Sequence, residues 1–411
     1  MVNIRHIQVS VVSTLLLVAI GSFAQTPTSQ NPKYPIQVDA NYLKTHPLPH
    51  FKYLVLDLLS PDTKEALNRE ADAALSGNAN AIGAASTIVS VPRWPGSFAF
   101  DGPVQPFIMV GNLPQTTSKT FINTQLVPIS LVFDGIINPK TGTTAVINTS
   151  PFVVAKTLAG PDFAKATYTD GFVQFADAVQ RAEFQPVRRT NWHTILNLPT
   201  MFAPVKIHVP SSMVKVFQLP DGRIFCLLDD TFLLNQLTAL LSSERVGARK
   251  LRIYLIRNTF LASGVVGFHT ALETDVIGSQ IFVQTLAYVP WIDADVAAVV
   301  FGDAALSDVV ALSHEVSEWM NDPFGTNAVT PSWQFPGEPG HCQGNLETGD
   351  PVEVLPSSLQ TFPVTIGGFT YHPQNEALLQ WFAQISPSNA LDGAYSYPNE
   401  SSLTSPSTSC P

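Results

Sequence analysis

One stretch constrains the fold of this chain more than any other: Ala311-Leu312-Ser313-His314-Glu315-Val316-Ser317-Glu318-Trp319-Met320-Asn321-Asp322-Pro323. Apolar residues recur at Leu306, Val309, Val310, Leu312, Val316, Trp319 and Met320, with helical rather than alternating spacing. Such a stripe needs another layer of structure to cover it. Asp303 or Ser307 is placed to cap the start of the helix, and Pro323 ends it. His314 and Glu318 then stand one turn apart on the same face. Two ligating side chains at that spacing can grip one metal ion, with Glu315 close enough to take a proton from a water on it. The competing reading is a solvated acidic helix face that happens to carry one His.

Around this helix the chain reads as strand-rich. Hydrophobic residues make up 45% of the 411 positions, enough for a large core, while only 13% are charged. Short alternating runs at 98–100, 107–110 and 127–133, separated by Gly and Pro, give a β-rich region over residues 25–204. Within it Pro61–Leu67 and Val173–Ala182 read as helices. Later, Val214–Leu219 and Arg223–Leu228 flank Pro220-Asp221-Gly222, a hairpin signal. A helix over Thr231–Ser242 follows, then strands at Leu251–Ile256, Gly264–Leu272 and Gln280–Val289, then the His314 helix. The expected class is α+β, with a second region over residues 205–411.

Arg5 and His6, the apolar run Ile7–Ile20 and the small residues ending at Ala24 read as a signal peptide over residues 1–24, directing a secreted or periplasmic protein. The formal net charge is −10. An acidic surface argues against nucleic acid, and against an anionic membrane once the signal is cleaved. Of three cysteines, Cys342 and Cys410 are the expected pair, tying the C-terminal tail to the region after the helix. Cys226 lies in an apolar run and reads as a buried thiol.

His314-Glu315-x-x-Glu318 differs from the zinc-peptidase pattern H-E-x-x-H in one position, a Glu for the second His. The order of strands, backing helix, further strands and motif helix resembles the zincin metallopeptidase fold. The stretch His-Glu-x-x-Glu, Asp322-Pro323, Trp333, Cys342 and Glu347-x-Gly349-Asp350 also resembles secreted zincin-like proteins, and more loosely the EXORDIUM (phosphate-induced) proteins. The resemblance covers roughly Gly264 to Cys410. It implies a mixed sheet over the helix, with an edge strand, here Gln280–Val289, able to hold an extended peptide by strand addition. It implies Glu347 as third metal ligand beside His314 and Glu318, and Asp350 as the carboxylate that orients a ligand.

Alternatives stay open at several positions. His341 is another candidate third ligand, and Glu347 and Asp350 also suit a calcium turn or a solvated loop. Asp322 before Pro323 reads more simply as a turn cap. His269 reads as a core group rather than a cleft residue, and His372 as a weaker candidate for stabilising a transition state. Two carboxylate ligands would neutralise a divalent cation, making a water on it less acidic and admitting calcium or manganese beside zinc. The resulting expectation is a secreted zinc peptidase acting on peptide or protein, with Glu315 as general base and His314, Glu318 and Glu347 on the metal. The alternative is a non-catalytic binding or cell-surface protein on the same scaffold.

Overall fold

The computed structural model describes residues 33–75, 87–99, 104–116, 119–243 and 247–410. The expected signal peptide lies outside the described residues. Helix and strand are mixed through the chain, as expected of an α+β protein. The elements that position the site are β1 (Lys52–Leu56), α1 (Pro61–Leu75), β2 (Arg93–Ala99), β3 (Val104–Val110), β4 (Lys119–Ile137), α2 (Phe175–Glu183), β5 (His193–Leu196), β6 (Val214–Gln218), β7 (Ile224–Leu228), α3 (Asp230–Ser243), β8 (Lys250–Arg257), β9 (Val265–Ile277), β10 (Gln280–Trp291), α4 (Val310–Asn321) and α5 (Asp350–Glu353).

Local signals explain many of these. Gly222, at φ 98, turns the β6–β7 hairpin, which pairs antiparallel from Val214 opposite Leu228 to Gln218 opposite Ile224. β4 begins with strict exposed–buried alternation and then becomes buried at successive positions, the signature of a strand passing from a solvated rim into a covered sheet centre. β8 is buried at every position but its ends.

A ten-stranded sheet forms the frame, with the main path β5-β4-β8-β10-β9-β1. β8 lies parallel to both β4 and β10, while β9 and β10 form a long antiparallel hairpin. β4 belongs to the expected N-terminal region and β8 to the C-terminal one, so a division at 204/205 would cut through this sheet. Gln280–Val289 is not an edge strand. β10 is flanked by β8 and β9, and the edge next to β9 is taken by β1, which comes from the far N-terminal side of the chain. Only tertiary pairing could reveal that.

Alternation along β8 distributes the core to two sides of the sheet. Tyr254 and Ile256 join Leu233, Leu237 and Leu241 of α3 in one cluster. Ile253 and Leu255 join Leu312, Val316, Trp319 and Met320 of α4 in another. All 12 residues of α4 are buried, polar ones included. Its apolar side rests on the sheet and its polar side is covered by the segment around Glu347–Glu353 and by Gln374, whose N–H donates to Ser313 Oγ. Helix α4 begins later than its apolar pattern suggested. Asp303 and Asp308 hold the approach instead, accepting from Ala305 N and Val309 N. The Cys342–Cys410 disulfide is formed, and Cys410 N also bonds to Ser332 O, so the tail is fastened to the layer over α4. Cys226 is a buried free thiol, and burial pushes it up to about 12. No helix among the described residues is long and apolar enough to cross a membrane.

Candidate metal centre

Three elements converge on the polar side of α4: the helix itself, β9 through His269, and the turn Glu347–Asp350. His314 and Glu318 lie on one face, as their spacing requires. His314 Nε2 is 2.9 Å from Glu318 Oε2 and 3.6 Å from Asp350 Oδ1. His314 Nδ1 and Asp350 Oδ1 have no hydrogen-bonding partner, His314 Nε2 and Glu318 Oε2 face each other as an ion pair, and all four atoms are buried. The other oxygens are anchored. Glu318 Oε1 accepts from the N–H groups of Gly349 and Asp350, and Asp350 Oδ2 accepts from Gln343 Nε2. Each carboxylate is thus fixed by one oxygen and presents the other to a common point.

The His314 ring is wedged in place. Tyr53 stacks on it with centroids 3.7 Å apart, and a Cβ on Gly349 would lie 2.3 Å from Nδ1. Only glycine lets the turn approach that closely. The same device serves Glu315: a Cβ on Gly267, in β9, would lie 2.8 Å from Glu315 Oε1.

His269 is the residue that the sequence placed in the core but the fold delivers to the site. It is fully buried, with Nδ1 3.1 Å from Glu315 Oε2 and Nε2 3.0 Å from the Asp322 carbonyl. A carbonyl only accepts, so Nε2 carries the hydrogen. Burial lowers His269 to about 4. With Nε2–H on the Asp322 carbonyl, the contact between Nδ1 and Glu315 Oε2 needs one proton shared between the two groups. Burial, then the nearby Glu318 charge, push Glu315 well above the usual carboxylate range, consistent with that proton. Burial followed by Glu318 also raises Glu347 and Asp350. Glu318 moves the other way. Burial opposes its charge, but His314 beside it pulls it below its ordinary value.

These groups pass a test for a divalent cation. Among the described residues, His314, Glu318 and Asp350 bring ligand atoms within 4.8 Å of one another, and so do His269, Glu315 and Glu318. Tetrahedral bonds near 2.0–2.1 Å to nitrogen and oxygen require ligand atoms about 3.3 Å apart. The 2.9 and 3.6 Å separations around His314 bracket that value. Burying carboxylates without compensation costs several kcal/mol each, so a cation or bound protons must balance this cluster.

The fold therefore brings His314, Glu315, Glu318, Glu347 and Asp350 together, with two shifts of position. Asp350, expected to orient a ligand, closes the His314–Glu318 set. Glu347, expected as third ligand, lies between Glu318 and His269, with Oε2 3.7 Å from His269 Nε2. His341 is outside the cluster, stacked on Phe335 and paired with Glu338 in an exposed loop. Asp322 caps the turn, accepting from the N–H groups of Thr326 and Asn327. His372 is tied to Asp308 at the entrance to α4 by two hydrogen bonds. Sequence reading missed Tyr53, Glu353 and Glu376 as neighbours of the cluster. A His inside an otherwise apolar strand was the one signal available for His269.

No protein-family model matches the chain, and no curated protein or solved structure matches it either.

Proposed function

We propose that the protein is a metal-dependent hydrolase of the zincin type, acting on peptide bonds. The observation that carries this reading is the set of buried donor atoms on His314, Glu318 and Asp350, which face one another at ligand spacing and are held there by anchored carboxylates. These three residues would hold the cation, and Glu347 would add negative charge beside it. One imidazole and two carboxylates suit zinc or manganese better than calcium, which prefers oxygen alone. Such a cation polarises a carbonyl and acidifies an adjacent water. A bound cation would favour the ionised form of Glu315, which would then be the residue to accept the proton, and His269, fixed by its bond to Asp322 O, orients it through Nδ1. The disulfide and the basic, apolar and small-residue order at the N-terminus support a secreted or periplasmic setting. The acidic composition favours peptide or protein substrates over nucleic acid.

The test is hydrolysis of a mixed set of fluorogenic peptides by the purified protein. Turnover is expected to disappear with a chelator, to return with zinc or manganese, and to fall at least about 100-fold in Glu315→Gln, the scale of a lost general base. A rate indifferent to both treatments would refute the proposal. A second reading rests on a specific observation: His314, Glu315 and Glu347 are completely buried. In it, the cation only fastens the Glu347–Asp350 turn to α4, and no peptide is turned over under any condition.

A further inference from the structure

Beside the Glu347–Glu353 segment and Gln374, β1 closes the centre on its remaining side. β1 lies on the edge of β9 in parallel register, with Leu54 opposite Phe268, Val55 opposite His269 and Leu56 opposite Thr270. It therefore runs alongside the strand that supplies His269. Its Tyr53 covers His314 and donates its N–H to Glu353 Oε2. Just before it, Phe51 sits edge-on between Phe260 and Phe301, with centroids at 5.2 and 5.5 Å. A cavity of about 270 Å³ continues beside these residues, bounded by Pro49, Leu306, Glu353 and Gln374.

We propose that the groove along β9 is the peptide-binding site, and that residues 50–56 occupy it as an internal occupant. The proposal rests on the hydrolase reading for its chemistry, but the groove stands on its own geometry. Strand addition at a sheet edge is how extended peptides are commonly held. The segment seated here defines the kind of peptide that fits: extended, with one aromatic side chain in the Phe260–Phe301 seat and a second, two residues later, on His314. β1 is held chiefly by one strand neighbour and by the buried Tyr53, while Lys52 is exposed and Leu54, Val55 and Leu56 are only partly buried. Edge strands with few buried contacts open at lower free energy than the sheet they join.

The experiment uses a fluorescently labelled synthetic peptide with the sequence of residues 49–57 and the full-length protein, metal content being measured on the same preparation. Amide hydrogen exchange is followed over 50–56 and over β8 as an internal reference. In the wild type, the amides of 50–56 are expected to exchange at least tenfold faster than those of β8, and faster still when excess peptide is added. Phe51→Ala, which weakens the resident strand, is expected to bind the labelled peptide at least tenfold more tightly than the wild type. The proposal is overturned if 50–56 is protected as strongly as β8 and peptide addition changes nothing. That readout needs no variant. Peptide exchange in a protein devoid of cation supports the groove while removing the hydrolase reading. Bound cation with an undisplaceable β1 does the opposite.

Discussion

At the scale of single residues, the site depends on small groups as much as on ligands. Gly349 touches the His314 ring from one side and Tyr53 from the other, so the imidazole has one position. Gly349→Ala is expected to push His314 off that position and weaken cation binding by about 10–100-fold, the usual effect of disturbing a ligand's support. Competition against a metal-sensitive dye would measure it, and unchanged affinity would show that the ring has room to move. The spacing of His314 and Glu318 was legible because a helix fixes which side chains share a face. Which of Glu347 and Asp350 comes nearest His314 was not, because both sit in one turn and its path decides which oxygen points inward. His269 was readable only as a polar interruption of an apolar strand. Its importance comes from β9 packing against α4, which no local pattern encodes.

At the scale of elements, α4 is a helix buried on all sides, and its stability comes from the sheet beneath it. Trp319 is fully buried in the cluster that joins α4 to β8 and β10. Trp319→Ala is expected to cost about 3–5 kcal/mol, as large-to-small changes at aromatic core positions do. Denaturant unfolding would register this as a lower midpoint with an unchanged slope; a loss below about 1 kcal/mol would mean the helix repacks. The hairpin β6–β7, helix α3 and the strands β8 to β10 were visible in the sequence through turn chemistry and hydrophobic period. The sheet edge was not. β1 is five residues long and precedes a helix, so its pairing with a strand some two hundred positions away left no trace in spacing.

At the scale of the whole molecule, a single sheet takes strands from both halves of the chain, and the tail is returned to the site layer by a disulfide spanning 68 positions. Removing it with paired Cys342→Ser and Cys410→Ser changes is expected to cost about 2–5 kcal/mol. The α+β class was readable from the mixture of periods, whereas a boundary near 204, drawn from the order of strand and helix patterns, meets a continuous sheet. Buried acids outside the centre also give stability a pH dependence. Burial raises Glu183 from 4.5 to about 8 although Leu379 N–H donates to it. Between those values the folded protein holds a proton that the unfolded chain has released, so stability falls as pH rises through the window. Glu183→Gln is expected to flatten part of that decline in melting temperature, and an unaltered slope would show that Glu183 ionises normally. The most direct test of the account is elemental mass spectrometry of the purified protein beside His314→Ala, with folding of both checked by circular dichroism. The account predicts about one equivalent of zinc or manganese per chain in the wild type and none in the folded variant. Absence of metal from both, or its retention in the variant, would contradict a metal centre built on α4.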